Sequence, residues 1–245
     1  MEWLPLPVRR EFSGLLNLFL PPACPLCGAA AVPLTPFCPS CQGAVEPLVH
    51  PHCPRCALPY ATEGGGDHLC EGCLRNEPPF AWVCAAGLYR ETLQRAVQHF
   101  KYHDAFGLDR PLGTLLAHAL RGARPDFLPD LIVPVPLHPS RLRSRGYNQS
   151  LLLARVLGRQ FGIPVSHRLL RRQRATLPQM GLSAADRRRN LRGAFGVTRE
   201  TGGLRLLLVD DVLTTGATAR ECAAVLQAAG AEEVGVAVIA RASKY

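Results

Sequence analysis

The chain has 245 residues, enough to bury a full core and leave room for a smaller module beside it. Its formal net charge of +9 is uneven: residues 1–80 carry four basic and seven acidic side chains, net −3, so the remainder holds +12 and suits a polyanionic ligand. No apolar run is long enough to span a membrane, and Met1 to Leu20 lacks the apolar core and small-residue cleavage site of a secretory leader, so neither an integral-membrane nor a secreted protein is expected, and a cytoplasmic location is.

Leu15 to Leu20 reads as a short helix packed on its neighbour, with a peripheral membrane contact as the alternative. Four C-x-x-C pairs follow: Cys24/Cys27, Cys38/Cys41, Cys53/Cys56 and Cys70/Cys73. In a reducing cytosol such pairs are better explained by metal than by disulfides, and eight thiolates make two closed, structural Cys₄ Zn2+ sites. Local pairing, first with second and third with fourth, is favoured because Cys27-Gly28 looks like a tight knuckle and Phe37-Cys38 like a returning strand; interleaved pairing remains open. An iron–sulfur cluster or a redox dithiol would use the same residue type, but a dithiol needs only one pair. His50, His52 and His68 read as turn or surface residues, and Cys84 and Cys222, which lack a C-x-x-C partner, as small buried hydrophobes.

Glu77-Pro78-Pro79 is a natural joint, giving domains over 1–80 and 81–245. Beyond it the spacing predicts a strand over Trp82–Tyr89, a helix over Glu91–Tyr102 with Leu93, Ala96, Val97 and Phe100 on one face, and a helix over Asp109–Arg121 opened by Pro111. Lysine occurs only twice against 26 arginines, which makes Lys101 a candidate polyanion contact distinct from the arginine background. Leu131–Val135 is a short buried strand, and Pro136–Gly146 behind it is a loop bearing Arg141, Arg143 and Arg145. A helix over Asn148–Phe161, an extended piece over Pro164–Leu170 and an arginine-rich excursion over Arg171–Arg192 come next. In the excursion, the capping-box-like Ser183-Ala184-Ala185-Asp186 opens a short helix through Asn190. The strand at 204–209, a helix over Ala217–Ala229 and a strand over Val234–Ala240 complete an α/β pattern around a parallel sheet.

The run from Leu206 to Thr218, LLLVDDVLTTGAT, carries the chemistry. A continuously apolar strand is covered on both faces, so Asp210 and Asp211 emerge at its carboxyl end, where open α/β sheets bind ligands. Thr214, Thr215, Gly216, Ala217 and Thr218 form a hydroxyl-rich turn at the start of the next helix, where amide donors and the helix dipole attract phosphate. Two carboxylates would repel that phosphate unless they serve ribose hydroxyls or a hydrated Mg2+. The pattern reads as a phosphosugar site.

It also resembles the 5-phosphoribosyl-1-pyrophosphate (PRPP) motif of type I phosphoribosyltransferases. The segments VPVPLHPSRLRSRGYNQS at 133–150, Arg174/Thr176/Gln179, Arg187/Asn190 and the cysteine pairs narrow the likeness to the ComF family, from about Cys24 to the chain end. That resemblance implies a type I phosphoribosyltransferase-like parallel sheet flanked by helices, behind a small N-terminal double zinc ribbon. It implies Asp210 and Asp211 on the ribose diol with Mg2+, and Thr214 to Thr218 on the 5-phosphate. Arg141, Arg143 and Arg145 would face pyrophosphate, and part of the excursion would close over substrate. The reaction would be pentosyl transfer to an acceptor that the motifs leave unnamed. The family also implies a role in natural transformation, with single-stranded DNA, a helicase and a recombination mediator as partners. Fifteen arginines against two acids over 137–205 supply a DNA surface in which Arg174, Arg187, Arg188 and Arg189 are candidates, with Phe100, Tyr102, Phe106 and Tyr147 as stacking aromatics. A non-catalytic DNA-binding or PRPP-sensing protein on the same fold is the competing reading.

Overall fold

A computed structural model describes residues 23–31, 35–61, 64–102, 107–174, 176 and 183–243, apart from the side chains of 184, 185, 187 and 188. The expectations for Leu15–Leu20, Phe106 and Gln179 lie outside these residues. The elements in chain order are α1 (Pro39–Gly43), α2 (Glu71–Arg75), β1 (Trp82–Leu88), α3 (Glu91–Tyr102), α4 (Asp109–Ala123), β2 (Leu131–Pro134), α5 (Pro139–Arg145) and α6 (Gln149–Phe161). They continue with β3 (Leu170–Arg172), α7 (Ala184–Leu191), β4 (Phe195–Val197), β5 (Arg205–Leu213), α8 (Ala217–Ala228) and β6 (Glu233–Arg241).

β1, β6, β5 and β2 form a parallel sheet in that order, while β3 and β4 pair antiparallel as a separate two-stranded unit. Residues alternate across a strand, so the apolar run of β5 feeds both faces. Leu207 and Val209 join Leu93, Phe100, Leu116 and Leu153 on one face; Leu206 and Leu208 join Phe195, Cys222, Leu226 and Val236 on the other. Each face needs its own cover, and α3, α4 and α6 provide one while α8 and the β3/β4 unit provide the other. The cysteine segments divide in the same way. Cys24, Phe37, Cys38 and Cys41 pack into the first layer, and Ala57 and Phe80 into the second.

Four local expectations are corrected. Residues 136–146 are not all loop: Pro139 at the helix start and the His138 side chain, which accepts from the Ser140 amide, nucleate α5. Cys38 is the N-cap of α1 and not part of a returning strand. β5 runs past 209 to Leu213, because β6 remains alongside to pair with it. The excursion begins inside β3, which takes Arg171 and Arg172, and β4 follows α7 without a sequence signal strong enough to place it.

Trp82 of β1 and Gly235 of β6 are partners in register. The Trp82 ring stands edge-on to Phe127 at 4.7 Å, and its indole N–H donates to Glu233 Oε1 at 2.8 Å, so it cannot swing away freely. A Cβ on Gly235 would lie 2.3 Å from Trp82 Cζ2. Gly235→Ala is therefore expected to destabilise the protein by about 1–3 kcal/mol, the usual cost of overpacking. The fall in the denaturant midpoint, together with altered near-ultraviolet dichroism of Trp82, checks it; an unchanged midpoint would contradict this contact.

Candidate functional site

The site forms at the carboxyl ends of β2 and β5. Adjacent strand residues face opposite ways, so the two acids meet different partners. Asp211, only 8% exposed, meets Lys101 Nζ at 3.0 Å through its Oδ2. Asp210 Oδ1 accepts from Ser150 Oγ and from the Asp211 amide, both at 2.9 Å. Lys101 is held there because the Phe100 carbonyl accepts from Tyr147 Oη (2.8 Å) and Gln149 Nε2 (3.3 Å), which joins the end of α3 to the start of α6. Asn148 caps α6 through the Ser150 amide and donates to the Val135 carbonyl, fixing Ser150 against the sheet.

Burial pushes the Asp210 carboxyl up to about 7, and the neighbouring Asp211 charge adds to the rise. Desolvation lowers the Lys101 pKa, but the Asp211 carboxylate outweighs it and holds the ammonium above its ordinary range. The native state thus keeps a proton on Asp210 that the unfolded chain loses near 3.8. Stability contributed by this group is fully present below about 4 and is lost as pH rises to about 7, by at most about 1.4 kcal/mol per pH unit. Carboxyl carbon NMR is expected to show one aspartate, absent from Asp210→Asn, titrating near neutrality; a midpoint near 4 would contradict the burial.

Beyond the acids, Gly216 adopts φ 75° at the N-cap of α8, a left-handed conformation that favours glycine. Thr215 Oγ1 accepts from the Ala217 amide at 3.4 Å. Asp210, Thr214, Gly216, Ala217 and Thr218 line one small concavity against the α8 N-terminus, so the structure joins the first acid to the predicted phosphate turn. A larger cavity of about 540 Å³ lies on the other side of that turn, between Thr214 to Gly216 and the second cysteine cluster.

The arginines divide by surroundings. Arg143 is exposed on α5, while Arg145 stacks over the exposed Tyr102 ring at 5.3 Å. Arg174 donates to the carbonyls of Asn190 (3.0 Å) and Arg192 (2.9 Å), which fastens the end of α7. Arg189 pairs with Asp186. The side chains of Arg187 and Arg188 fall outside the described residues. Arg172 was missed by sequence reasoning, hidden among many arginines. Its guanidinium stacks over Phe195 at 5.4 Å, its buried Nε has no hydrogen-bond partner among the described residues, and desolvation, reinforced by Arg141, lowers its pKa. Of the proposed stacking aromatics, Phe100 is fully buried and Tyr147 spends its hydroxyl on α3.

The cysteines assemble by local pairing: Cys24, Cys27, Cys38 and Cys41 in one cluster, and Cys53, Cys56, Cys70 and Cys73 in the other, with all Sγ atoms of a cluster within 4.8 Å of one another. Cys27 to Cys38 and Cys56 to Cys70 are 3.6 Å apart between sulfurs. Zinc–sulfur bonds of about 2.3 Å in a tetrahedron require sulfurs about 3.8 Å apart, so both clusters fit Zn2+. The Gly28 amide donates back to the Cys24 carbonyl at 2.8 Å, closing the expected knuckle. His50, His52 and Asp67 form an exposed trio in which Asp67 accepts from the His52 amide and bonds the His50 ring. The described residues contain no helix long and apolar enough to cross a membrane.

Two family profiles match the chain. The double zinc ribbon domain profile matches residues 15–74, and the phosphoribosyl transferase domain profile matches residues 148–245. Competence protein F of Haemophilus influenzae is 40% identical over 200 residues, covering 78% of this chain and 85% of its own. DNA utilization protein YhgH of Escherichia coli K12 is 37% identical, covering 77% and 83%. Among solved structures, the glutamine PRPP amidotransferase from B. subtilis complexed with ADP and GMP aligns over 52% of this chain and 25% of its own, at 26% identity and a TM-score of 0.36.

Proposed function

The chain belongs to the competence protein F (ComF) family, and from that membership we propose that it is a cytoplasmic PRPP-binding protein of DNA uptake, dependent on Mg2+, with domains over 1–80 and 81–245. The observation that carries this reading is the concavity shared by Asp210 and the Thr214–Thr218 turn at the α8 N-terminus. In this reading Asp210 and Asp211 take the ribose hydroxyls, and the turn takes the 5-phosphate against the positive end of the helix. Asp210 and Asp211 are the oxygen donors that suit a hydrated Mg2+, which would supply charge neutralisation of pyrophosphate. Lys101 must exchange Asp211 for the ligand, and its ammonium then becomes free to meet a phosphoryl oxygen. Arg141, Arg143, Arg145 and Arg172 supply cations on the β2 side for pyrophosphate.

The reaction class this arrangement serves is substitution at ribose C1, in which a lone pair of the acceptor forms the new bond to C1 while the C1–O bond breaks and pyrophosphate leaves with that bond's electron pair. Calorimetric titration of zinc-loaded protein with PRPP, with and without Mg2+, tests the binding step. Saturable binding at one site per chain only with Mg2+ is expected; no heat under either condition would overturn it.

The exposed Arg143, Arg168, Arg171, Arg192 and Arg199 favour a second role, contact with single-stranded DNA through the same basic sector. The names of both relatives, a competence protein and a DNA utilization protein, support it.

A further inference from the structure

Arg241, the last residue of β6, is only 5% exposed, and it sits between the second cysteine cluster and the phosphate turn. Its Nε donates to the Cys56 carbonyl at 2.8 Å. Its Nη1 donates to the carbonyls of Leu213 at 3.0 Å and Thr214 at 2.8 Å, and also to that of Ala242. Cys56 belongs to the Cys₄ knuckle; Thr214 opens the Thr214–Thr218 turn. One rigid guanidinium therefore sets the spacing between a metal site and a ligand-binding turn.

The charge balance points the same way. A buried guanidinium is costly without a counter-charge, and no carboxylate pairs with Arg241 among the described residues. Four thiolates around Zn2+ carry two net negative charges, and the second cluster is the group beside Arg241 that can supply them. Zinc is also what allows four thiolates to sit together. The first cluster shows no such link among the described residues: Cys24, Cys38 and Cys41 pack into the layer on the opposite face of the sheet, with Leu93. The 540 Å³ cavity marks the same boundary, with Tyr60, Cys70 and Cys73 on one wall and Thr214, Gly216 and Arg241 on the other.

We propose that the second zinc site, and not the first, controls the phosphate turn through Arg241, so that zinc and the ribose phosphate ligand stabilise one another's binding. This rests on the ribose phosphate reading of the turn. Coupling between two binding sites is reciprocal: if zinc shapes the turn for PRPP, bound PRPP must retain that zinc.

The test follows zinc release from the full, zinc-loaded chain into a zinc-selective chelator that leaves Mg2+ in place, with and without PRPP and Mg2+. Two release phases are expected, assigned by Cys41→Ser, which lacks the first zinc, and Cys73→Ser, which lacks the second. Mg2+ with PRPP should slow the second-site phase at least fivefold, at the low end of ordinary coupling, and leave the first unchanged. Arg241→Met should still bind two zinc ions yet lose the protection. If that variant loads less zinc, Arg241→Lys, which keeps the charge but not the fork, serves instead and should lose most of it. PRPP binding by calorimetry with both phases unchanged, both slowed equally, or protection surviving in the Arg241 variants would overturn the coupling while leaving the PRPP reading intact. Failure of PRPP to bind at all would overturn that reading and the coupling with it.

Discussion

Replacing Asp210 and Asp211 together by asparagine is expected to raise the Kd for Mg2+ and PRPP at least about 100-fold, since losing one partner of a buried charged pair already costs about 2–5 kcal/mol. The two single variants should differ. Asp211→Asn strips Lys101 of its partner and leaves an ammonium largely out of water, so it also lowers stability. Asp210→Asn retains an oxygen for Ser150 and is the milder change to the fold. Because burial holds Asp210 up to about 7, a cationic ligand must displace its proton below that pH. Wild-type affinity should then climb about tenfold per pH unit up to about 7 and flatten above it, whereas Asp210→Asn should show no such climb. Calorimetry between pH 6 and 8.5 measures both effects, and unchanged affinity in the double variant would refute the site.

The sheet was legible because its strands are continuously apolar and its helices carry apolar residues at helical spacing, as with Leu93, Ala96, Val97 and Phe100 of α3. The acids and the turn were legible because they are contiguous in sequence. What could not be read was contributed from elsewhere in the chain. Ser150 reaches Asp210 from 60 positions away, and Arg241 reaches Cys56 from 185. Neither pairing leaves a periodic or compositional trace. The end of β5 was misjudged for a related reason: polar Asp210 and Asp211 end the apolar run, but β6 pairing carries the strand on to Leu213. α5 was missed because a seven-residue arginine-rich helix with no buried residue has no apolar stripe, only its His138 cap and Pro139. Arginine abundance hid Arg172 in the same way, since residue type alone could not separate a buried guanidinium from a solvated one.

Removing both zinc ions is expected to have the largest effect of any single treatment. Structural zinc is worth roughly 10–16 kcal/mol, as much as the whole stability of an ordinary domain. The cysteine segments have little to replace it: α1 and α2 are five residues each, too short to persist alone, and many of their side chains are exposed. The loss should also reach the sheet. Phe37 is fully buried in the layer that covers one face, and Ala57 and Phe80 are buried in the layer that covers the other. Exposing a buried Phe alone costs about 3 kcal/mol or more. Chelation should therefore abolish structure over the ribbons and lower the thermal midpoint of the α/β part, with Trp82, packed against the first layer, reporting the change. Hydrogen exchange followed by mass spectrometry resolves the two regions. Protection in β5 and β6 that is equal in the zinc-loaded and zinc-free chains would show that the ribbons are appended modules, and would remove the basis for treating them as part of the core.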